Sequence, residues 1–305
     1  MILPPFIPHS SSLIPKMKAF LSLPAHRQGI LAVAAGALLW STSGVFIKLL
    51  PFDAFTILFY RSGLAALFYA VLFRRQLLEM NARAWVNSVV YCLVLLSFVS
   101  ATKMTTAANA ILLQYTAPVY VLLAEPMLFK TRLERVNVIT ILICLAGMVI
   151  LVSGDLAVGD WVGNLLALVS GITLAALILG QRRNAPEFQD RSIFWGNVFV
   201  ALVGLPFALQ AQTPTVEHWL MFGWLGFIQL GVGNLLFFYG LKRVLAVESA
   251  LLGMMEPIFS PIWVLIFYGE KPSTGAVAGG ILMMIALAGR AFWLEVKRGK
   301  TNREI

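Results

Sequence analysis

Glu256 and Arg61 make the heaviest demands on their surroundings, because each stands deep inside a long apolar run. An ionisable group at the centre of such a run costs about 2.5–3.5 kcal/mol unless it faces water or a partner. Glu256, immediately before Pro257, has three uses open to it: contact with a substrate ammonium, carriage of a coupled proton, or a bond to a neighbouring helix. Arg61, about two turns beyond Asp53, must be paired or hydrated, as an internal anchor or as the partner of a substrate carboxylate.

Other polar and aromatic groups interrupt apolar runs in the same way. Trp40, Ser41, Thr42 and Ser43 form one patch, and Tyr91, Asn197, Gln229 and Asn234 stand singly. Ser and Thr also bond their own helix backbone, so part of this polarity is local. Gln114 and Glu125 are eleven residues apart, three helical turns, with Tyr115 beside that stripe. The candidate binding residues are therefore Trp40, Ser43, Tyr91, Gln114, Tyr115, Asn197, Asn234 and Glu256. Pro118 and Pro257 each remove a backbone donor inside a run and are candidate hinges. Glu125 and Glu248 lie nearer the run ends, where snorkelling, a helix-terminus contact or a gate contact would each serve.

Aromatics with a few orienting polar groups suit a small amphipathic organic solute better than a bare ion or a highly phosphorylated one. Catalysis has little to stand on: His9, His26 and His218 fall outside the runs, and no HExxH, paired Asp motif or GxSxG lies within one. No metal or cofactor is expected. Cys92 and Cys144 lie inside runs and read as small packing residues. A channel would need a ring of filter groups, for which there is no motif.

The elements that must position these residues follow from composition. Of 305 residues 59% are hydrophobic and 12% charged, about half the charged fraction of a soluble domain. At roughly 20 residues per crossing the chain has room for about ten transmembrane helices. The runs are Ile30–Leu49, Ala54–Phe73, Trp85–Thr102, Ala107–Phe129, Val136–Val152, Trp161–Gly180, Ile193–Leu209, Trp219–Leu241, Ala246–Phe267 and Gly275–Trp293. The third and seventh, interrupted by Ser97, Ser100 and Asn197, are the weakest.

The net charge of +9 is spread over short clusters rather than one face, which argues for topology and against nucleic acid. Basic residues gather in alternate connections: Arg74, Arg75 and Arg83; Lys130, Arg132 and Arg135; Arg182, Arg183 and Arg191; Lys242 and Arg243. The N-terminal Lys16, Lys18 and Arg27 and the C-terminal Arg290 to Arg303 complete that set, so both termini are expected to be cytoplasmic. The proline-broken N-terminus does not read as a cleaved signal peptide, and Met17 is an alternative start.

Sliding the chain on itself sets Ala101–Lys130 over Gly240–Gly269, pairing Lys103 with Lys242, Ala107 with Ala246 and Pro118 with Pro257. The expected organisation is a tail over 1–28, five-helix repeats over 29–155 and 160–294, and a tail over 295–305. Five crossings per repeat make the halves inverted. The fold class is thus all-α integral membrane, with ten transmembrane helices in two inverted five-helix repeats.

This repeat, the Phe267-Tyr268-Gly269-Glu270-Lys271 signature and the glycine-spaced last run at Gly275, Gly279 and Gly280 resemble the EamA type of the drug/metabolite transporter superfamily. The resemblance covers roughly Gly29 to Trp293, with Lys130-Thr131 replacing the Gly-Glu pair in the first half. It is nearest the YddG-like amino-acid exporter branch. It implies an alternating-access exporter of small organic metabolites, above all neutral or aromatic amino acids, in a bacterial inner membrane. Its partners would be a small-molecule substrate and the lipid bilayer. The chain would be a monomer or, through the small face Gly275-Ala-Val-Ala-Gly279, a homodimer.

Overall fold

The computed structural model describes residues 22–105, 107–152, 161–269 and 273–301. Most of the N-terminal tail with Met17, the connection holding Asp155 and Asp160, the Glu270-Lys271 pair of the signature and Arg303 lie outside the described residues.

Nine helices among the described residues are long and apolar enough to cross a membrane. They are α1 (Ala25–Ile47), α2 (Ala54–Leu78), α3 (Ala82–Met104), α4 (Asn109–Phe129), α6 (Trp161–Arg183), α7 (Glu187–Ala208), α8 (Val216–Leu241), α9 (Ala246–Phe267) and α10 (Thr274–Leu294). The shorter apolar α5 (Arg135–Leu151) completes the bundle. The two weakest runs of the sequence form full helices. In α7 the first turns are held by Arg191, which bonds the Glu79 carbonyl at 2.7 Å and its carboxylate at 3.1 Å.

Large apolar side chains cover the outside, among them Val71, Met127, Leu142, Leu202, Leu220 and Ile285. Such an exterior is stable only against lipid, and it marks an integral, multi-pass membrane protein. Helix starts are fixed by side chains. Asp53 accepts from the Phe55 and Thr56 amides, Asn81 from the Ala84 amide, and Thr215 forms a capping box with His218. Partial burial works against the ionised Asp53, but the Thr56 hydroxyl and the two amides outweigh it and hold its carboxyl below the ordinary range.

Between helices the contacts are small, because lipid gives no hydrophobic drive and backbones must approach closely. Gly29 and Gly36 of α1 lie against Gly240 and Gly233 of α8, and Gly147 of α5 against Gly279 of α10. Gly163 and Gly180 of α6 meet Met104 and Asn87 of α3, and Gly204 of α7 meets Phe55 of α2. These contacts run start against finish, so the pairs α1/α8, α5/α10, α3/α6 and α2/α7 are antiparallel. Gly226 and Gly231 of α8 meet Leu64 and Phe68 of α2, and Gly196 of α7 meets Tyr91 of α3 while Arg191 at the start of α7 holds Glu79 just before α3, so these two pairs are parallel. Exchanging α1–α5 for α6–α10 maps this set of pairs onto itself. Gly279, part of the small face of the last run, is occupied by internal packing on α5.

Candidate functional site

Three helices break at similar depth. α4 breaks at Tyr115–Thr116, one turn before Pro118, and α9 at Met254, just before Pro257. Each proline lacks the amide that would bond the carbonyl four residues earlier, that of Gln114 or Gly253. The Gly253 carbonyl is taken instead by the Tyr115 hydroxyl at 3.0 Å. The Gln114 carbonyl faces Gly171 of α6, whose missing side chain lets the two backbones meet. α1 breaks at Ser41–Thr42 without a proline. There the Ser41 and Thr42 hydroxyls bond back to the Leu38 and Leu39 carbonyls at 2.6 and 2.7 Å, satisfying groups the break releases.

The breaks border one narrow cavity, with space for roughly one water molecule. Trp40, Tyr115, Pro118 and Gly253 come from the broken helices, Leu174 and Ile178 from α6, and Phe237 from α8. Trp40 stacks on Phe237 with ring centres 4.3 Å apart. Its indole donates to Asn234 at 3.1 Å, and Asn234 in turn donates to the Tyr91 hydroxyl at 2.8 Å. Asn197 donates to the same hydroxyl at 3.2 Å. On the other side Tyr115 shares its hydroxyl hydrogen between Gly253 and Glu256, whose Oε2 lies 2.6 Å away.

The structure thus brings Trp40, Tyr91, Tyr115, Asn197, Asn234, Glu256 and Pro118 into one connected region, with Pro257 at the α9 break. Among the described residues no hydrogen bond joins Ser43, buried in α1, or Gln114, buried where α4 meets α6, to this network. The expected Gln114–Glu125 stripe is not one continuous helix face, because the α4 break falls between them.

Arg61 donates to Gln229 at 3.3 Å across α2 and α8. Gln229 lies in a stretch of α8, Trp224–Val232, wound as π-helix, which re-aims side chains relative to an α-helix. Two further indoles seal the α1 break: Trp263 donates to Ser41 at 2.7 Å and Trp224 to Thr42 at 3.0 Å. Trp224, Trp263 and Phe237 carried no signal in the sequence, being lost among many membrane-helix aromatics.

A second polar cluster closes one end of the bundle. Glu125 of α4 accepts from the Ala246 and Val247 amides at the start of α9, at 2.7 and 2.9 Å, with Arg182 of α6 at 3.7 Å. Glu248 of α9 meets Arg290 of α10 at 3.3 Å and His26 of α1 at 2.9 Å. Arg290 also donates to Asn137 of α5 at 2.8 Å. Helix starts of α1, α5 and α9 therefore meet helix finishes of α4, α6 and α10 here. Lys242, just past α8, bonds the carbonyls of Asn184 and Arg182. Burial, with Arg182 adding to it and Glu187 opposing, pushes its ammonium down to about 8.

The EamA-like transporter family model matches residues 27–153 and again 161–290. A curated relative, an uncharacterized transporter of Archaeoglobus fulgidus, is 25% identical over 261 residues, covering 85% of this chain and 94% of its own. The biotin transporter of Escherichia coli is 25% identical, with 80% of this chain and 84% of that protein covered. The pseudopaline exporter CntI of Pseudomonas aeruginosa is 24% identical, with 85% and 94% covered. One solved crystal structure is similar with a TM-score of 0.77 at 20% identity, covering 88% of this chain and 98% of that one, a likeness of fold.

Proposed function

The chain belongs to the EamA-like transporter family and is a membrane transporter rather than an enzyme, and from that premise we propose that it exports small organic metabolites by alternating access. Neutral and aromatic amino acids are the solutes we favour, and a bacterial inner membrane is the setting. In this reading ten crossings form two inverted five-helix halves with both termini cytoplasmic. The self-mapping set of helix pairs supports that arrangement, as does the meeting of helix starts and finishes around Glu125 and Glu248.

The observation that carries the reading is the convergence of three broken helices on one aromatic cavity flanked by Glu256. Broken helices place polar groups at mid-depth where continuous helices would present only side chains. Trp40, Tyr115 and Phe237 offer faces to an apolar side chain, while Asn234 and Glu256 orient polar atoms, Glu256 serving an ammonium. The hinge prolines let the halves of α4 and α9 rock about the cavity. The Glu125 and Glu248 cluster closes one exit and must part for that exit to open. The relatives named for biotin and for pseudopaline carry different solutes, so the fold accommodates cavity chemistry set residue by residue.

The test is counterflow in proteoliposomes with a panel of amino acids and other metabolites, with and without a proton gradient. Glu256→Gln and Trp40→Ala are expected to reduce the rate by about tenfold or more while folded protein remains in the membrane. Unchanged kinetics in both variants would remove these residues from the site.

A further inference from the structure

Arg61 is the buried group that the reading above leaves unexplained. Only 2% exposed, it is among the largest fully buried side chains of the protein. Among the described residues only Nη2 of its three guanidinium nitrogens has a bond, a long one of 3.3 Å to Gln229, and Nε and Nη1 are buried without a hydrogen-bond partner. A structural anchor would have its donors satisfied, since a buried cation with bare donors is a liability to a fold. The backbones pack closely here, with Gly226 of the π-wound segment against the Arg61 carbonyl.

The groups near enough to feel its charge are Tyr91 and Glu256. Both belong to the network already described: Tyr91 through Asn234 to Trp40, and Glu256 through Tyr115. A cation and a carboxylate therefore stand within electrostatic reach of each other behind the side chains that line the aromatic cavity. We propose that Arg61 binds the carboxylate of the transported solute through its unpartnered guanidinium face, so that the site selects carboxylate-bearing molecules. A solute that also carries an ammonium offers it to Glu256. This rests on the cavity at Trp40 and Tyr115 being the transport site. One guanidinium offers the fork that a carboxylate fits. A doubly charged phosphate would meet one cation and the opposing Glu256, so a monoanion is the better match.

The experiment uses purified full-length protein and matched triads, each an amino acid, its deaminated carboxylate and its decarboxylated amine. L-phenylalanine, 3-phenylpropionate and phenethylamine form one triad, and aliphatic and hydroxylated triads complete the set. Binding is read by tryptophan fluorescence and transport by counterflow. In at least one triad, carboxylate-bearing members should bind roughly tenfold or more tighter than the amine, and Arg61→Met should abolish that preference. Its melting temperature should equal or exceed that of the wild type, an outcome an anchor role does not give. Arg61→Lys should keep the direction of the preference but weaken carboxylate binding about tenfold.

The proposal is overturned if the amine binds as well as its parent in every triad, if the preference survives Arg61→Met, or if no carboxylate of any triad binds. Loss of folded protein in both variants would identify an anchor and overturn it equally. Amines carried without carboxylates would leave the transport site standing and remove Arg61 from it. Simple carboxylates carried in place of amino acids would support Arg61 and remove the amino-acid reading.

Discussion

Glu125 of α4 closes the amino end of α9, its two carboxylate oxygens accepting from the Ala246 and Val247 amides at 2.7 and 2.9 Å. The residue before α9, Leu245, has no side chain able to cap, so the cap comes from another helix. Any movement of α9 against α4 at this end must break both bonds.

Glu125→Ala is accordingly expected to cost about 2 kcal/mol or more, above the usual value of a lost cap, because Arg182 also loses its carboxylate. Thermal unfolding in detergent measures this. A drop no larger than that of an exposed Glu→Ala control would show that the cap contributes nothing.

The bond from Tyr115 to the Gly253 carbonyl repairs the donor missing at Pro257. Tyr115→Phe leaves that carbonyl short of a partner, at about 1–3 kcal/mol. In a Pro257→Ala background the helix can supply its own amide, so the same substitution should cost less. A double-mutant cycle on melting temperature reads the coupling, and strictly additive effects would refute it.

The sequence makes the membrane-spanning runs legible because lipid demands long apolar stretches whatever their neighbours, and the helices follow those runs within a few residues. Pro118 and Pro257 were legible for a similar reason: the missing amide is a local property. The α1 break was not, since Ser41 and Thr42 acquire their second partners, Trp263 and Trp224, from α9 and α8. Nor was the capping by Glu125, whose amide donors lie 121 and 122 residues away in sequence. The eleven-residue stripe failed because periodicity assumes an unbroken helix. Arg61 could be recognised as costly, but which of its donors find partners depends on the π-winding of α8, which no residue pattern announces.

Asp53 gives a pH dependence of defined sign. Its carboxyl is held below the ordinary range in the folded protein, so the unfolded chain binds the proton more readily. Its stabilisation is complete above its unfolded pKa, about 4, and is lost as pH falls through the lower folded value. Asp53→Ala should therefore destabilise by about 1 kcal/mol near neutrality, and the gap to wild type should close on acidification. Melting curves of both proteins from neutral to acid pH test this, and a gap that does not change with pH would rule out the ionised carboxylate as the cap.

Two glycines in the bundle separate close packing from tolerance. At Gly240 a Cβ would lie 2.5 Å from the Gly29 carbonyl oxygen and 2.9 Å from the Val33 amide nitrogen, both backbone atoms of α1. Neither can swing aside as a side-chain tip could, so α1 and α8 must separate along the seam that also carries Gly36 and Gly233. At Gly63 a Cβ meets nothing within 4 Å. Gly63→Ala should be neutral or stabilising by up to about 1 kcal/mol, through helix propensity alone. Gly240→Ala should destabilise by about 2 kcal/mol or more and pull Trp40, stacked on Phe237 about one turn nearer the cavity, out of register. Melting temperature and tryptophan emission of the two variants, measured side by side, decide the matter. Equal behaviour would mean that the α1/α8 seam is looser than its backbone contacts require.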